Sequence, residues 1–268
     1  YNVANGFIFK RTSTTLPDEL IVYANNCNDL LLSDFVIEDY SNAFIGQKLN
    51  NSNFPTSTTD TENAVKICNC TNVTLFKHAF VRCSCEEILL WNCTNLNIVE
   101  CYMLPNSYMV SQLGVWACHN TTLVNCSFVG ATNGNTVNIY GGSVKVLGCY
   151  FETDSSINNL NAVSIDLSTE FENVLGYGTY STDNCLVDSC IFINASIEGV
   201  TQQNDAEITS HNMVVSNCVF NWTKAETAPT SPSTAINACF HSSNKVKNML
   251  FNNCSFNYNG VTADAILG

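Results

Sequence analysis

Apolar residues recur at fixed distances from eight reference positions along the chain. The reference positions are Phe35, His78, Cys101, Cys126, Cys149, Cys190, Cys218 and Cys254. Two residues after them stand Ile37, Phe80, Met103, Phe128, Phe151, Phe192, Phe220 and Phe256. Three residues before them stand Leu32, Leu75, Ile98, Leu123, Val146, Val187, Val215 and Phe251. The shortest repeats return after about 23 residues, which predicts one coil of a solenoid, and longer intervals hold one coil with an insertion or two coils.

A polar column accompanies the apolar ones. Six residues before the reference positions stand Asp29, Asn72, Asn95, Asn120, Ser143, Asn184, Asn212 and Asn248. Asparagine tolerates the left-handed conformation of a tight bend and can form hydrogen bonds along a stack of identical bends. A shorter column, eight residues before four of the reference positions, contains Cys27, Cys70, Cys93 and Cys118. The columns predict an Asn ladder at one bend, with Cys and Phe ladders inside the coil.

Within each coil, apolar and polar residues alternate with a period of two. Examples are the tripeptides Val73-Thr74-Leu75, Val137-Asn138-Ile139 and Val163-Ser164-Ile165. This period indicates β-strands, and equivalent strands of successive coils would stack about 4.8 Å apart. A leucine-rich horseshoe has a similar repeat length, but its helical half is missing here. The sequence therefore predicts an all-β parallel β-helix.

These repeats resemble the pectate-lyase-like superfamily, in which the coil length, the Asn ladder and the interior Phe and Cys stacks recur. The resemblance covers the chain from about Cys27 to its end and implies a right-handed, single-stranded parallel β-helix of about 8–10 coils. The superfamily includes polysaccharide lyases, glycosidases and bacteriophage tailspikes. The Asn-Thr-Asp, Asp-Asp and Gly-His-Gly motifs of its glycosidases are absent, and no arginine follows Arg82 to act as a lyase base. The resemblance therefore implies an architecture and does not favour a lyase.

We expect residues 1–268 to form one domain, excerpted from a longer chain. The chain starts at Tyr1, and residues 263–268 resemble the opening strand of another repeat. Residues 1–26 are expected to be an opening segment. Loop insertions are expected near 38–62, 152–182, 193–207 and 221–233, all leaving the coil after the same apolar column. Insertions on one corner could wall a groove along the helix.

The charge of the chain excludes several classes of partner. The formal net charge is −13, and only 12% of the residues are charged. Because phosphate groups would be repelled, we expect neither nucleic acid nor an anionic membrane as a partner. No apolar run approaches the roughly 20 residues that span a bilayer, so membrane insertion is not expected.

The fifteen cysteines are expected to be reduced and structural. Most occupy interior columns in which Phe, Gly or His stands in other coils, and cysteine there acts as a small apolar residue. Their odd number and the large regular core favour thiols made in a reducing compartment. Cys68, Cys70, Cys83 and Cys85 have the residue types of a zinc site, with His78 between them. Because Cys70 and His78 belong to interior columns, neither a metal nor a cofactor is expected.

Carboxylates between positions 166 and 188 are the candidate catalytic groups. Glycosidases place two carboxyl groups about 5–9.5 Å apart, on either side of the bond they cleave. The candidate catalytic residues are Asp166, Asp188 and Glu170. The candidate glycan-binding residues are Tyr177, Tyr180, Glu172 and Asp183. Solvated surface carboxylates and tyrosines that only pack the loop are the alternative, and His241 has no evident partner in the sequence.

An apolar stripe at outward-facing positions is the candidate oligomer interface. It contains Leu186, Ile191, Val214, Val219 and Leu250. Exposed apolar stripes of this kind bind partners, unless an insertion covers them. Tailspikes that resemble this fold are parallel homotrimers, so the resemblance implies a homotrimer.

Three hypotheses of function remain open. The preferred one is a virion spike, of bacteriophage tailspike or tail-fibre type, that binds a host surface polysaccharide and is assembled in the host cytoplasm. The second is a glycoside hydrolase acting on surface polysaccharide through paired carboxylates. The third is an extracellular or cell-surface adhesin of β-helix type.

Overall fold

The computed structural model describes the chain as strands joined by bends. The described residues are 2–5, 8–10, 22–38, 65–83, 88–105, 113–129, 137–140, 142–152, 163–166, 184–198, 210–222, 240–241 and 246–258. They form strands β1 to β26, numbered in chain order, and contain no helix. All pairing between these strands is parallel and builds three sheets.

Each described sheet contains every third strand along the chain. Sheet 1 contains β1 (Asn2–Asn5), β4 (Leu30–Ser33), β7 (Thr71–Phe76), β10 (Thr94–Val99), β13 (His119–Val124), β16 (Val144–Leu147), β19 (Leu186–Asp188), β22 (Ser210–Ser216) and β25 (Val246–Asn252). Sheet 2 contains β2 (Ile8–Lys10), β5 (Val36–Glu38), β8 (Ala79–Cys83), β11 (Tyr102–Pro105), β14 (Ser127–Val129), β17 (Tyr150–Glu152), β20 (Ile191–Ile193), β23 (Val219–Trp222) and β26 (Ser255–Tyr258). Sheet 3 contains β3 (Val22–Asn25), β6 (Val65–Cys68), β9 (Ile88–Trp91), β12 (Leu113–Trp116), β15 (Val137–Tyr140), β18 (Val163–Asp166), β21 (Ser196–Glu198) and β24 (Phe240–His241).

A complete coil passes through sheet 3, sheet 1 and sheet 2 in turn, as β9, β10 and β11 do. The nine described strands in sheets 1 and 2 correspond to nine coils, within the predicted range. The chain is a right-handed parallel β-helix, as the sequence predicts. One detail differs, because β1 pairs with β4 and residues 2–5 thus already belong to the coil rather than to an opening segment.

The predicted apolar columns fill the interior. Five phenylalanines stack in sheet 2, with neighbouring ring centroids 4.6–5.3 Å apart and ring planes within 8° of parallel. They are Phe128, Phe151, Phe192, Phe220 and Phe256. The flanking columns of sheet 1, such as Leu75, Ile98, Leu123 and Val146, are also buried. Offset aromatic stacking adds about 0.5–1.5 kcal/mol per pair to the burial of apolar area.

The predicted Asn ladder lies at the bend between sheets 3 and 1. Asn72, Asn95 and Asn120 have left-handed backbones, with φ of 54°, 58° and 57°. Each Nδ2 donates to the residue one coil earlier: Asn72 to Asp29 at 2.9 Å, Asn95 to Asn72 at 3.0 Å and Asn120 to Asn95 at 3.1 Å. A second ladder, which the sequence pattern does not predict, joins Asn92 to Asn69 at 2.7 Å and Asn69 to Asn25 at 2.9 Å.

The reference positions themselves follow the bend between sheets 1 and 2. The described cysteine side chains are thiols rather than disulfides, and those in this column are buried except at Cys254. They donate to backbone carbonyls, as Cys126 does to Ile98 O at 3.3 Å and Cys190 to Asp188 O at 3.3 Å. His78 occupies the same column, is buried, and hydrogen-bonds through Nε2 to Leu32 O at 2.9 Å. Cysteine and histidine therefore fill interior positions, as predicted.

Two of the predicted insertions contain strands of the helix. The segment 152–182 includes β18, and the segment 193–207 includes β21, both paired in sheet 3. Residues 153–162 and 167–183, on either side of β18 in the sequence, lie outside the described residues. The predicted bounds of these two insertions therefore overlap the coil, and their exit from one corner stays a prediction. The segments 39–64 and 223–239 lie outside the described residues.

Candidate functional site

One register column of sheet 3 changes in residue type along the helix axis. Strand pairing aligns one position of each described strand of this sheet into the column. From the first coil to the last, this column contains Tyr23, Lys66, Leu89, Gly114, Asn138, Asp166, Glu198 and His241. The positions immediately before them form an inward column that includes Val137 and Ile197, both buried. The last four members are polar or ionisable, and we call them the polar column.

In the earlier coils, the outer face of sheet 3 is a small second core. Lys66 and Leu89 are fully buried although they lie on the outer face. Trp91 and Trp116, in register with each other, are also buried, and the Lys66 Nζ lies 6.0 Å from the Trp91 ring centroid. A lysine that keeps its charge in such a place gains from the negative face of the indole ring. This part of the sheet therefore has a structural role.

The polar column brings together groups that are far apart in sequence. Asn138, Asp166, Glu198 and His241 lie on the consecutive strands β15, β18, β21 and β24. With strands about 4.8 Å apart, the column is roughly 14 Å long. The pairing of β18 with β21 shifts register between Val163 and Ile165, just before Asp166. Such irregularities are frequent next to active and binding sites, where they redirect a side chain.

The chemistry of the polar column suits hydroxyl-rich ligands. An amide both donates and accepts hydrogen bonds, ionised carboxylates accept them, and an imidazole does either according to its protonation. Two carboxylates and an imidazole are also among the residue types used in general acid–base catalysis. The described residues contain no group of three or more His, Cys, Asp or Glu side chains arranged to hold a metal ion.

The two predicted catalytic aspartates lie in different sheets. Asp166 belongs to the polar column of sheet 3, whereas Asp188 ends β19 in sheet 1. The Asp188 carboxylate accepts hydrogen bonds from Ser216 Oγ at 2.5 Å, Asn217 Nδ2 at 2.8 Å and Ser189 Oγ at 2.9 Å. These donors lower the pKa of Asp188, with Ser216 contributing most. Asp188 therefore holds the bend between sheets 1 and 2 together.

The remaining predicted site residues fall outside the described part of the chain. They are Glu170, Glu172, Tyr177, Tyr180 and Asp183. Their catalytic and glycan-binding roles stay predictions, as does the pairing of Asp166 with Asp188. Sequence reasoning missed Asn138, Glu198 and His241. The alternation Ser196-Ile197-Glu198 is the signal that could have identified Glu198, but a strand of three residues inside a predicted loop is easily overlooked.

The five predicted interface residues lie in two adjacent register columns. Leu186, Val214 and Leu250 are in register on sheet 1. Ile191 and Val219 are in register on sheet 2, just beyond the bend. Leu250 is 54% exposed and Ile191 41% exposed. The stripe exists as a surface feature, and its role in oligomerisation stays a prediction.

The strand pairing and the polar column together define a parallel β-helix protein with an aligned row of amide, carboxylate and imidazole residues on one sheet. No helix in the described part of the chain has the length and hydropathy of a membrane span. No protein-family model and no curated protein match this chain.

Solved structures of β-helix proteins are similar to it. The Streptococcus pneumoniae surface protein and adhesin PfbA is 11% identical, with 89% of this chain and 68% of that chain covered and a TM-score of 0.45. The Azotobacter vinelandii mannuronan C-5 epimerase AlgE4 A-module is 7% identical, with 97% and 91% covered and a TM-score of 0.38. At these values the likeness carries no conclusion about function, and this chain's own residues must supply one.

Proposed function

We propose that this chain is the glycan-binding β-helix of a virion spike of bacteriophage tailspike or tail-fibre type, and that a host surface polysaccharide binds along the polar column. The observation that carries the proposal is the register that aligns Asn138, Asp166, Glu198 and His241 on four consecutive strands. A register column of hydrogen-bonding residues on consecutive strands suits a linear polymer of sugars, whose hydroxyls recur along its length.

The net charge of the chain restricts the class of polysaccharide that can bind. With a formal net charge of −13 and two carboxylates in the polar column, the protein repels polyanions. A neutral glycan or one with amino sugars is compatible with this negative electrostatic potential, whereas a polyuronate is not. Binding of a polyuronate in preference to a neutral glycan would contradict the proposal.

The thiols support a spike over an exported adhesin. The described cysteines are reduced and mostly buried in the fold, which suits folding in a reducing cytosol. A virion spike folds there and acts outside the cell afterwards. Mass spectrometry of purified virions tests this location, and detection of the chain on the producing cell surface instead would favour the adhesin.

Glycan binding is tested with two matched amide variants. Glu198→Gln removes a charge from the polar column, and Glu100→Gln removes one from the bend between sheets 1 and 2. A hydrogen bond to a charged group contributes about 1.5–3 kcal/mol, so Glu198→Gln should weaken binding of the selected glycan about 10- to 100-fold. Glu100→Gln should leave it unchanged. Equal affinities for both variants, with unchanged circular dichroism, would show that the glycan binds elsewhere.

Hydrolysis of the glycan is the second candidate function, favoured by the adjacency of Asp166 and Glu198. Neighbouring strands set their Cα atoms about 4.8 Å apart, a spacing on the scale of the roughly 5–5.5 Å between the carboxyl groups of retaining glycosidases. Cleavage should then retain the anomeric configuration, observable by proton NMR of the first product. It should stop in both Asp166→Asn and Glu198→Gln. Binding without release of reducing ends would leave recognition as the function.

A further inference from the structure

Cysteines of successive coils stack on one another in two columns of the helix. The column at the bend between sheets 3 and 1 contains Cys27, Cys70, Cys93 and Cys118, and the column of reference positions ends with Cys190, Cys218 and Cys254. Among the described cysteines, Cys27 and Cys254 are half-buried and the others are buried. Each half-buried thiol therefore stands at one end of a stack whose next member is shielded from solvent.

The backbone aligns Cys27 with Cys70. Asn28 pairs with Thr71 immediately after them, and Thr71 N–H donates to Cys27 O at 3.0 Å. Equivalent residues of neighbouring strands lie about 4.8 Å apart, and disulfides join cysteines whose Cα atoms are about 4.4–6.8 Å apart. The Cys27 N–H donates to Cys70 Sγ at 3.3 Å, so the two residues are in contact.

The thiols of Cys27 and Cys70 have the same orientation. Cys27 Sγ donates to Asn25 O at 3.6 Å, and Cys70 Sγ donates to Cys68 O at 3.0 Å. In each case the acceptor is the carbonyl two residues earlier. Because both side chains leave the backbone on the same side, rotation about their Cα–Cβ bonds can bring the two sulfurs together without a change of register.

The same arrangement recurs at Cys218 and Cys254. Val219 pairs with Ser255 immediately after them, and Ser255 N–H donates to Cys218 O at 2.9 Å. Cys254 Sγ donates to Val215 O at 3.5 Å, which is a carbonyl of the preceding coil. The half-buried thiol at this end of the helix thus already points towards the coil that holds its buried neighbour.

We propose that the two half-buried cysteines are oxidation sites, and that an oxidising environment links Cys27 to Cys70 and Cys254 to Cys218 by disulfides between coils. The oxidant is a low-molecular-weight disulfide such as oxidised glutathione. The thiolate of Cys27 attacks one sulfur of the oxidant and releases one glutathione. The thiolate of Cys70 then attacks the Cys27 sulfur, and the second glutathione leaves. The two cysteines lose two protons and two electrons, and the oxidant is reduced to two glutathione molecules.

Exposure decides which thiol reacts first. Cys70 is shielded from a dissolved oxidant, but it lies against Cys27 and can displace glutathione from it within the same molecule. Desolvation raises the pKa of Cys70 to about 12, so this second step is the slower one. Cys93 lies one coil further along the stack and stays a thiol.

Each disulfide would close a loop at an edge of the described sheets. Within the described residues, β3 is the edge strand of sheet 3 and β26 the edge strand of sheet 2, so each has a paired neighbour on one side. Edge strands open more readily than central ones, and a crosslink to the next coil restricts that opening. The proposal concerns the covalent state of the chain and does not rest on the glycan site.

Peptide mapping without reduction tests the two linkages. The folded chain is incubated at pH 8 with a mixture of oxidised and reduced glutathione, quenched with acid and digested with pepsin. Peptides that join Cys27 to Cys70 and Cys218 to Cys254 should accumulate over hours. The urea midpoint of the oxidised chain should rise by about 1 M and return to its first value on reduction.

Two variants of one stack distinguish the resolving thiol from its neighbour. In Cys70→Ala, Cys27 should keep glutathione as a stable adduct, because no adjacent thiol displaces it, and Cys70→Ser should behave in the same way. Cys93→Ala is the matched control, and it should form the linkage of Cys27 to Cys70 as the wild type does. Far-UV circular dichroism of all variants should match the wild type. A lasting glutathione adduct at Cys27 in the folded wild type would overturn the proposal, and so would linkages that form only in denaturant.

Discussion

Asparagine at the bends of this helix both forms the turn and joins neighbouring turns. A left-handed backbone costs most residues about 1–2 kcal/mol, and asparagine is among the few that adopt it routinely. Its side chain then donates to the bend one coil earlier and accepts from the bend one coil later. Asn95 does both, through Asn72 at 3.0 Å and Asn120 at 3.1 Å.

Replacing Asn95 should therefore have two separable effects on stability. Asn95→Ala loses both ladder hydrogen bonds and places a Cβ-bearing residue without local compensation at φ 58°, so we expect unfolding to become easier by about 2–4 kcal/mol. Asn95→Gly also loses both ladder hydrogen bonds, but glycine adopts the left-handed backbone without this penalty. We therefore expect it to lower the free energy of unfolding by about half as much. Urea denaturation measures both. Asn97→Ala, at an exposed position of the same strand, should change stability by under about 0.5 kcal/mol.

His78 couples stability to pH. Burial lowers its pKa to about 4, although the carbonyls of Leu32 and Phe35 act in the opposite direction. The unfolded chain, with an ordinary histidine pKa near 6.5, binds the proton first as the pH falls. The contribution of His78 is thus complete above about pH 6.5 and is lost progressively down to about pH 4, by on the order of 3 kcal/mol.

His78→Cys tests this coupling, since cysteine fills the same column in later coils. The wild type should lose more stability than the variant between pH 7 and pH 4.5, as measured by urea denaturation at each pH. Around pH 7.5 the difference in free energy of unfolding between the wild type and the variant should no longer vary with pH. Parallel curves for both proteins across the whole range would exclude His78 as the coupled group.

At the scale of elements, the fold could be predicted where coils are short and not where they are interrupted. The Phe, Cys and Asn columns of sheets 1 and 2 could be aligned because these strands keep constant offsets from the bend at the reference positions. Strands β18, β21 and β24 of sheet 3 are separated from that bend by segments of varying length. Their register, and with it the adjacency of Asp166, Glu198 and His241, appears only when backbone pairing is seen. Asp166 and Asp188 are close in sequence, but they lie in different sheets, which the sequence does not reveal.

The buried thiols of Cys68 and Cys70 should be unreactive toward dissolved reagents in the folded protein. Desolvation raises the pKa of Cys68 to about 11 and that of Cys70 to about 12, and thiols react as thiolates. At pH 8, Ellman's reagent should reach the half-buried Cys27 and Cys254 before the buried described thiols. All fifteen cysteines should react within minutes in denaturant. Rapid modification of Cys68 and Cys70 without unfolding, located by peptide mapping, would contradict their burial.

At the scale of the whole molecule, the three sheets divide their roles. Sheet 3 carries a second core in its early coils and the polar column in its late ones. Sheets 1 and 2 carry the apolar stripe of Leu186, Ile191, Val214, Val219 and Leu250. The proposed glycan surface and the predicted interface stripe thus lie on different sheets of one helix.

The direction of the inter-coil hydrogen bonds has a mechanical consequence. In the ladders and sheets they run along the helix axis, from one coil to the next, so a force that pulls the two ends apart loads one coil at a time. Unfolding under tension should be a series of small steps rather than one large rupture. With 23 residues between equivalent positions of neighbouring coils such as Asn69 and Asn92, each short coil should release about 80 Å of chain. Where 36 residues separate Asn212 from Asn248, the step should be proportionally longer. An optical trap should record the unfolding of single coils in succession, and each coil should refold when the load falls.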